Sequence, residues 1–419
     1  MTAPKLTTTG TIHVLTWGDL EIRVERVREN SQYEVKGEVT VNDRSLGNSY
    51  LLGRERVNLS SGMARKGLAK RLEGKAGGVD WFDKIEQMSG MVIDRHREGE
   101  PEVDLSEGPE PKEMEYLIHP ILPKGKPTIV HGKGGVAKGY IACYCAVLAS
   151  TGTSVGMLKT DPNYLSNVLY LDWEDDEDEA KRRLREVSAG LGLEHRPPVV
   201  YQHCSRPFSG MGDAIQGKIL KHNIDFVVVD SLIPACGGDA NSSEKAEEFY
   251  RALNALGTKE QAPTFLLVGH QSKQNLTGQT TTFGSGVWEF LARRVWEVKL
   301  GSQEKDQIEI SINDKKRNRG GFVDPFGYRI LFEPGVVTFE DIDVADVPEF
   351  ERGLKRPTRI KALLERTPGN AMTAHDIAEA LEDAQGIIAT TLSKTKAFCY
   401  ITRDGSYGLE ALRKQGRYD

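Results

Sequence analysis

A lysine in a glycine-rich turn between a strand and a helix can hold phosphate, and residues 131–139, HGKGGVAKG, present such a turn. Gly132 and Lys138 stand in the register GxxxxGK[ST], after the apolar run PTIV and before YIACYCAVLA. A turn of this kind points free backbone N–H groups and a helix N-terminus at an anion, and its lysine reaches the β- and γ-phosphates of a nucleotide. The candidate binding set is Gly132, Gly134, Gly135, Val136, Ala137, Lys138, Gly139 and Tyr140. Two positions depart from the pattern. Ala137 replaces the second glycine, and Gly139 replaces the Ser/Thr whose hydroxyl would hold Mg²⁺. The competing reading is a glycine-rich turn with a surface lysine, which the flanking strand and helix weigh against.

Three further strand ends carry polar residues. IDFVVVDS ends in Asp230, at the sheet edge where a carboxylate orders the water shell of Mg²⁺. Alone, such an aspartate reads as a helix cap. NVLYLDWEDD places Glu174 after a second apolar strand, as the candidate to orient an attacking water. The rest of that acidic run reads as a solvated helix face with its acids in the first turn. TFLLVG is followed by His270 and Gln271, a candidate γ-phosphate sensor or an ordinary loop histidine.

Positioning these groups requires strands that alternate with helices. Residues 116–340 read that way, as an α/β core with a mostly parallel sheet. Before it, residues 1–95 carry short strands (IHVLTW, LEIRVERV, YEVKGEVTV, SYLLGRERVNL) and two helical stretches, a small β-rich domain; Trp17, Tyr33 and Tyr50 there could stack on bases or pack in the core. Residues 96–115, acidic and proline-rich, read as a linker. The 419 residues are 38% hydrophobic and 28% charged with net charge −6, which excludes a disordered chain and a globally basic nucleic-acid coat. No apolar run approaches the roughly 18 residues of a membrane span, and no secretory signal is present, so the expected location is cytoplasmic. Five cysteines without a CxxC pair argue against disulfides and a structural zinc.

Taken in order, GKGGVAKG, LYLDWEDD, VVVDSLIPACGGDANS, LLVGHQSK, TTFGSGVWEFLARRVW and DKKRNRGG resemble the RecA-like ATPases of the RepA type. That group includes plasmid hexameric replicative helicases and many phage and mobile-element ATPases. The resemblance spans about residues 116–335. It implies an oligomeric ring, hexameric, or a filament, binding ATP and Mg²⁺ between subunits. In that scheme Lys138 is the phosphate lysine, Asp230 the Mg²⁺-side aspartate acting through water, Glu174 the catalytic glutamate and His270 the sensor. Lys316 or Arg319 would be a finger reaching the neighbour's γ-phosphate. The cluster KKRNRG could equally contact DNA phosphate or form a charged hairpin. The loop GQTTTFGSG would face a channel for single-stranded DNA, with Arg293 and Arg294 on a following helix VWEFLARRVW.

From Arg352 onward, 12 Lys and Arg outnumber 8 Asp and Glu, opposite in sign to the whole chain. RIKALLER, TAHDIAEAL and IIATTLSKTKAF read as three helices, and CYITRDGSYGLEAL as a hairpin turning at Asp404-Gly405. Residues 352–419 thus resemble a winged helix. Thr390, Thr391, Ser393, Lys394 and Lys396 become candidate duplex DNA contacts, with Arg403 on the wing; winged helices also serve as protein-interaction modules. The sequence therefore leads to an oligomeric DNA-dependent ATPase, a helicase or recombinase-like enzyme of a phage or mobile element. The alternative is a nucleotide-gated DNA-binding or loader protein with little hydrolysis.

Overall fold

Alternation of aliphatic and charged residues in LEIRVERVRE gives one strand a dry face and a wet one. In the computed structural model, which describes residues 3–9, 11–46, 50–99, 104–107, 110, 113–257, 262–271, 285–318, 321, 323–351 and 354–418, that segment is the centre of an antiparallel meander. The strands β1 (Lys5–Thr9), β2 (Ile12–Trp17), β3 (Leu20–Glu29), β4 (Val35–Asp43) and β5 (Tyr50–Asn58) pair in sequence order. Its dry face (Leu15, Ile22, Val24, Val39, Val41) is covered by α1 (Gly62–Glu73) and α2 (Trp81–Glu98) through Leu68, Leu72, Trp81, Ile85 and Met88. Ser61 and Asp80 cap these helices, each accepting a backbone N–H with its side-chain oxygen. Thr11 and Arg26 of this unit reach Asp213, at the start of a core helix.

The core begins with β6 (Tyr116–Ile118) and β7 (Leu122–Pro123), then β8 (Pro127–Gly132), α3 (Lys138–Thr151), β9 (Val168–Asp172), α4 (Glu177–Gly190), β10 (Val199–His203), α5 (Gly212–His222), β11 (Phe226–Asp230), α6 (Leu232–Cys236), α7 (Ser243–Asn254) and β12 (Thr264–His270). Next come α8 (Val287–Leu291), β13 (Arg294–Gln303), β14 (Gln307–Arg317), β15 (Phe326–Glu333) and β16 (Val336–Ile342). Together they form a nine-stranded sheet in the order β10-β9-β11-β12-β8-β13-β14-β15-β16. The first six strands of that order run parallel, and β14 to β16 extend the sheet antiparallel.

Continuous apolar strands are buried on both faces. Val168, Tyr170, Phe226 and Val228 pack on the side of α3 and α4, while Leu169, Leu171, Val227 and Val229 pack on the side of α5 and α7. The antiparallel strands also close on α3 and α4. Tyr144 stacks on Phe339 with centroids 4.0 Å apart, and Gly190 ends α4 so near β16 that a Cβ there would lie 1.9 Å from the Val337 carbonyl oxygen.

One expectation is corrected here. VWEFLARRVW is not one helix: α8 stops at Leu291, and Arg294 opens β13, parallel to β8. Val295, Trp296 and Val298 are fully buried sheet residues, and Arg294 is buried in an ion pair with Asp314 at 2.9 Å, so neither arginine lies on a helix facing a channel. Burial of the strand overrides the local helical composition. The sequence also gave no signal for β10, α5 or α6.

After the short α9 (Pro348–Glu351), the last unit comprises α10 (Arg356–Arg366), β17 (Ala371–Met372), α11 (Ala374–Ala380), α12 (Gln385–Lys394), β18 (Phe398–Ile401), β19 (Ser406–Leu409) and α13 (Glu410–Arg413). Its strands pair in the order β17-β19-β18, over a small core of Ile360, Leu364, Ile377, Ile388, Leu392 and Phe398.

Candidate functional site

The strand registers bring the candidates to one edge. Gly132 pairs with His270, Val268 with Asp230, and Asp230 with Asp172, so the carboxyl ends of β8, β12, β11 and β9 line up. β12 lies between the strand of the glycine-rich loop and the strand of Asp230. A cavity of about 230 Å³ opens at this edge, lined by loop residues together with Lys138, Glu174, Asp230 and His270. Ligands of open parallel sheets bind in this position.

The loop folds as its glycines predict, except at one residue. Gly135 has φ +80°, and Gly132 approaches β13 so closely that a Cβ would lie 2.6 Å from the Val298 carbonyl oxygen. Ala137 holds the left-handed conformation, φ 55° and ψ 33°, that the missing glycine would take without strain. It starts α3, whose first-turn N–H groups face the cavity. Lys138 is buried, and its Nζ donates to the carbonyls of Gly132 (3.0 Å) and Lys133 (2.7 Å). Burial holds its pKa below the usual lysine value, opposed by Asp230 and Glu174.

Opposite the lysine, Glu174 is tied down from two sides. Ser231 donates its hydroxyl to Glu174 Oε1, and His270 Nε2 lies 3.1 Å from the same oxygen. The histidine contact, then the serine, hold the Glu174 carboxyl at a pKa of about 2 against the effect of burial, which makes it an ionised acceptor and a weak base. Asp230 behaves in the opposite way. Burial raises its pKa to about 6, helped by like charge on Asp172 and Glu174, while the Tyr170 hydroxyl, 2.7 Å from Oδ2, works to lower it. Asp172 is buried behind them, and its Oδ1 accepts the N–H groups of Glu174 and Asp175, which sets the turn that carries Glu174. Between the two, Trp173 is half-buried, its Nε1 donating to the Arg206 carbonyl.

The cavity fits nucleotide phosphates: backbone donors, a buried ammonium and a glycine floor with open space over Gly134 and Gly135. Direct Mg²⁺ ligation by the loop does not fit. Gly139 offers no side-chain hydroxyl, and a Cβ there would lie 2.9 Å from Arg183 Nη1 and 3.5 Å from Asp230 Oδ2, so an arginine covers the position of the liganding hydroxyl. Among the described residues no group of three His, Cys, Asp or Glu side chains is placed to hold a metal.

Other expected residues stand apart. Lys316 Nζ donates to the carbonyls of Glu289 (2.8 Å), Phe290 (2.6 Å) and Ala292 (2.8 Å), capping the end of α8 in its own chain, away from the cavity. Arg319 and most of the loop GQTTTFGSG lie outside the described residues. Thr390, Lys394, Lys396 and Arg403 are exposed on α12 and beside the last hairpin; Thr391 is half-buried. Thr390 and Thr391 return their hydroxyls to the Gly386 and Ile387 carbonyls. Of the N-terminal aromatics, Tyr33 is exposed, and Trp17 packs on the meander core under the Lys84 ammonium. Sequence reasoning missed Tyr170, Ser231 and Arg183. Tyr170 and Ser231 sit in quoted strand ends. Arg183 follows Glu179 by four residues on α4, a helical spacing that puts both on one face, while Asp175 precedes the helix and only the fold brings it to the arginine.

The five cysteines are buried and unpaired, and among the described residues no helix is long and apolar enough to cross a membrane. Comparison with curated proteins found none similar to this chain. Residues 95–275, from the end of α2 past β12, match the family model described as AAA domain. That stretch holds Lys138, Glu174, Asp230 and His270 and is somewhat under half of the chain. It is similar to the AAA-type P-loop ATPases, whose domain is a P-loop α/β core that binds nucleotide.

Proposed function

We propose that this chain is an ATP-binding and ATP-hydrolysing protein that acts on DNA as an oligomer. The single observation that carries the reading is the convergence of Lys138, Asp230, Glu174 and His270 on one cavity at the carboxyl edge of the parallel sheet. Backbone N–H groups of residues 134–140 and the Lys138 ammonium hold the β- and γ-phosphates. Glu174, ionised and fixed by Ser231 and His270, orients the attacking water on the γ-phosphate side. His270, bonded to Glu174 at the end of β12, senses the γ-phosphate through that contact. A finger from a neighbouring subunit is the part the resemblance implies, with Lys316 or Arg319 to supply it; Lys316 is engaged at α8, which favours Arg319.

The DNA reading rests on the C-terminal unit and the family resemblance. Helix, short strand, two helices and a hairpin, with β17 joining the hairpin sheet, support a winged-helix reading of this unit. In that reading α12 enters a duplex groove with Lys394 and Lys396, and Arg403 touches phosphate from the wing; single-stranded DNA would run along the core. A replication or recombination role in a mobile element follows from the same resemblance.

The second reading is a nucleotide-gated DNA-binding or loader protein, favoured by Gly139 and by the arginine that covers it. Phosphate release with and without single-stranded DNA, on the wild type and Lys138→Ala, separates the two. We expect DNA-stimulated release that falls by about a hundredfold or more in the variant. ATP binding with no release above the variant's background would leave the gated protein.

A further inference from the structure

In loops of this kind a hydroxyl after the lysine holds Mg²⁺, which offsets the charge of the β- and γ-phosphates. Here Arg183 of α4 takes that space. Its Nη2 is fixed by Asp175 at 2.5 Å and its Nε lies 3.2 Å from Glu179, an arrangement that leaves Nη1 toward Gly139. The guanidinium also lies over the Tyr140 ring, 5.7 Å from its centroid, which restricts its plane. The side chain is only 15% exposed, and it lines the phosphate cavity together with Lys138. A half-buried cation with two acidic partners, aimed by an aromatic face, is positioned for a phosphate oxygen, and a side chain at 139 would have to displace it.

We infer that Arg183 supplies from within this chain the positive charge that a metal-liganding hydroxyl and its Mg²⁺ supply in other phosphate loops, so that nucleotide binding here tolerates the removal of Mg²⁺. The inference rests on the nucleotide reading above and adds the residue that sets its metal dependence. Gly139 and Arg183 are then one feature: the glycine is the space the arginine needs. A purely structural Arg183, clamping the first turns of α4, would alter stability without altering how affinity responds to the metal.

The test is the affinity of the full chain for a fluorescent ATP analogue in excess Mg²⁺ and in excess EDTA, with melting temperature as the folding control. The wild type is expected to change by less than about threefold between the two buffers, and Arg183→Ala to lose about tenfold or more in EDTA, part of it recovered in Mg²⁺. Arg183→Lys keeps the charge and should retain most of the metal tolerance. The double variant Gly139→Ser/Arg183→Ala restores a hydroxyl and vacates its space, and should become Mg²⁺-dependent by about tenfold. A wild type that loses tenfold in EDTA, or an Arg183→Ala protein with the wild-type ratio, overturns the inference and leaves nucleotide binding intact. Absence of binding in both buffers, or binding indifferent to Lys138→Ala, overturns the nucleotide reading and the inference with it.

Discussion

Among single residues, Asp230 and Glu174 show how one site separates two carboxylates. Asp230 is almost wholly buried and its pKa rises to about 6, whereas Glu174, held by Ser231 and His270, falls to about 2. An acid limb in the pH dependence of phosphate release is therefore expected near pH 6 from Asp230, with Glu174 ionised throughout the working range. The same shift has a stability consequence. The folded state favours protonated Asp230, so its contribution is full below the unfolded pKa of 3.8 and is lost as pH rises through about 6. Asp230→Asn should then be more stable than wild type at pH 8, by roughly 2–3 kcal/mol, with the gap narrowing toward pH 5 in urea denaturation. A variant less stable than wild type at pH 8 contradicts this account. The placement of Lys138, Asp230 and Glu174 at one sheet edge was legible because each follows an apolar run that must be a buried strand. Arg183 was not, because its place in the cavity depends on the absence of a side chain at Gly139, forty-four positions earlier, and only the fold brings the two together.

At the level of elements, α4 carries Arg183 at its middle and ends against β16. Gly190 makes the second contact possible, since a Cβ there would meet the Val337 carbonyl oxygen at 1.9 Å. Gly190→Ala is expected to destabilise the protein by about 1–3 kcal/mol through overpacking, measurable as a lowered melting temperature. Buried strands β8, β9, β11 and β12 could be read from apolar runs bounded by turn residues. β13 could not: VWEFLARRVW has helical composition throughout, and its second half becomes a strand because β8 offers a vacant parallel edge and Asp314 a partner for Arg294. The edge strand β10, with four half-buried residues and an exposed His203, gave no continuous apolar signal either.

For the whole molecule, charge is distributed unevenly. The chain is net −6, while the residues from Arg352 onward carry a local excess of four positive charges. If α12 binds duplex DNA, Lys394→Glu/Lys396→Glu should weaken binding across sequences and reduce the slope of log affinity against log salt by about one per lost phosphate contact. An unchanged slope would assign this unit to a protein partner. The N-terminal meander, tied to Asp213 by Thr11 and Arg26, abuts the core at the start of α5, on the opposite side of the sheet from α3 and α4. Trp173 has a use of another kind. Trp81, Trp288 and Trp296 are sealed in cores and Trp17 lies in the meander, so of the five tryptophans Trp173 alone adjoins Glu174. Its indole packs on Phe208 and donates to the Arg206 carbonyl beside the turn that carries Glu174, which makes it a built-in optical reporter of that turn: if nucleotide binding shifts Glu174, a change in intrinsic emission is the expected sign, read without any label.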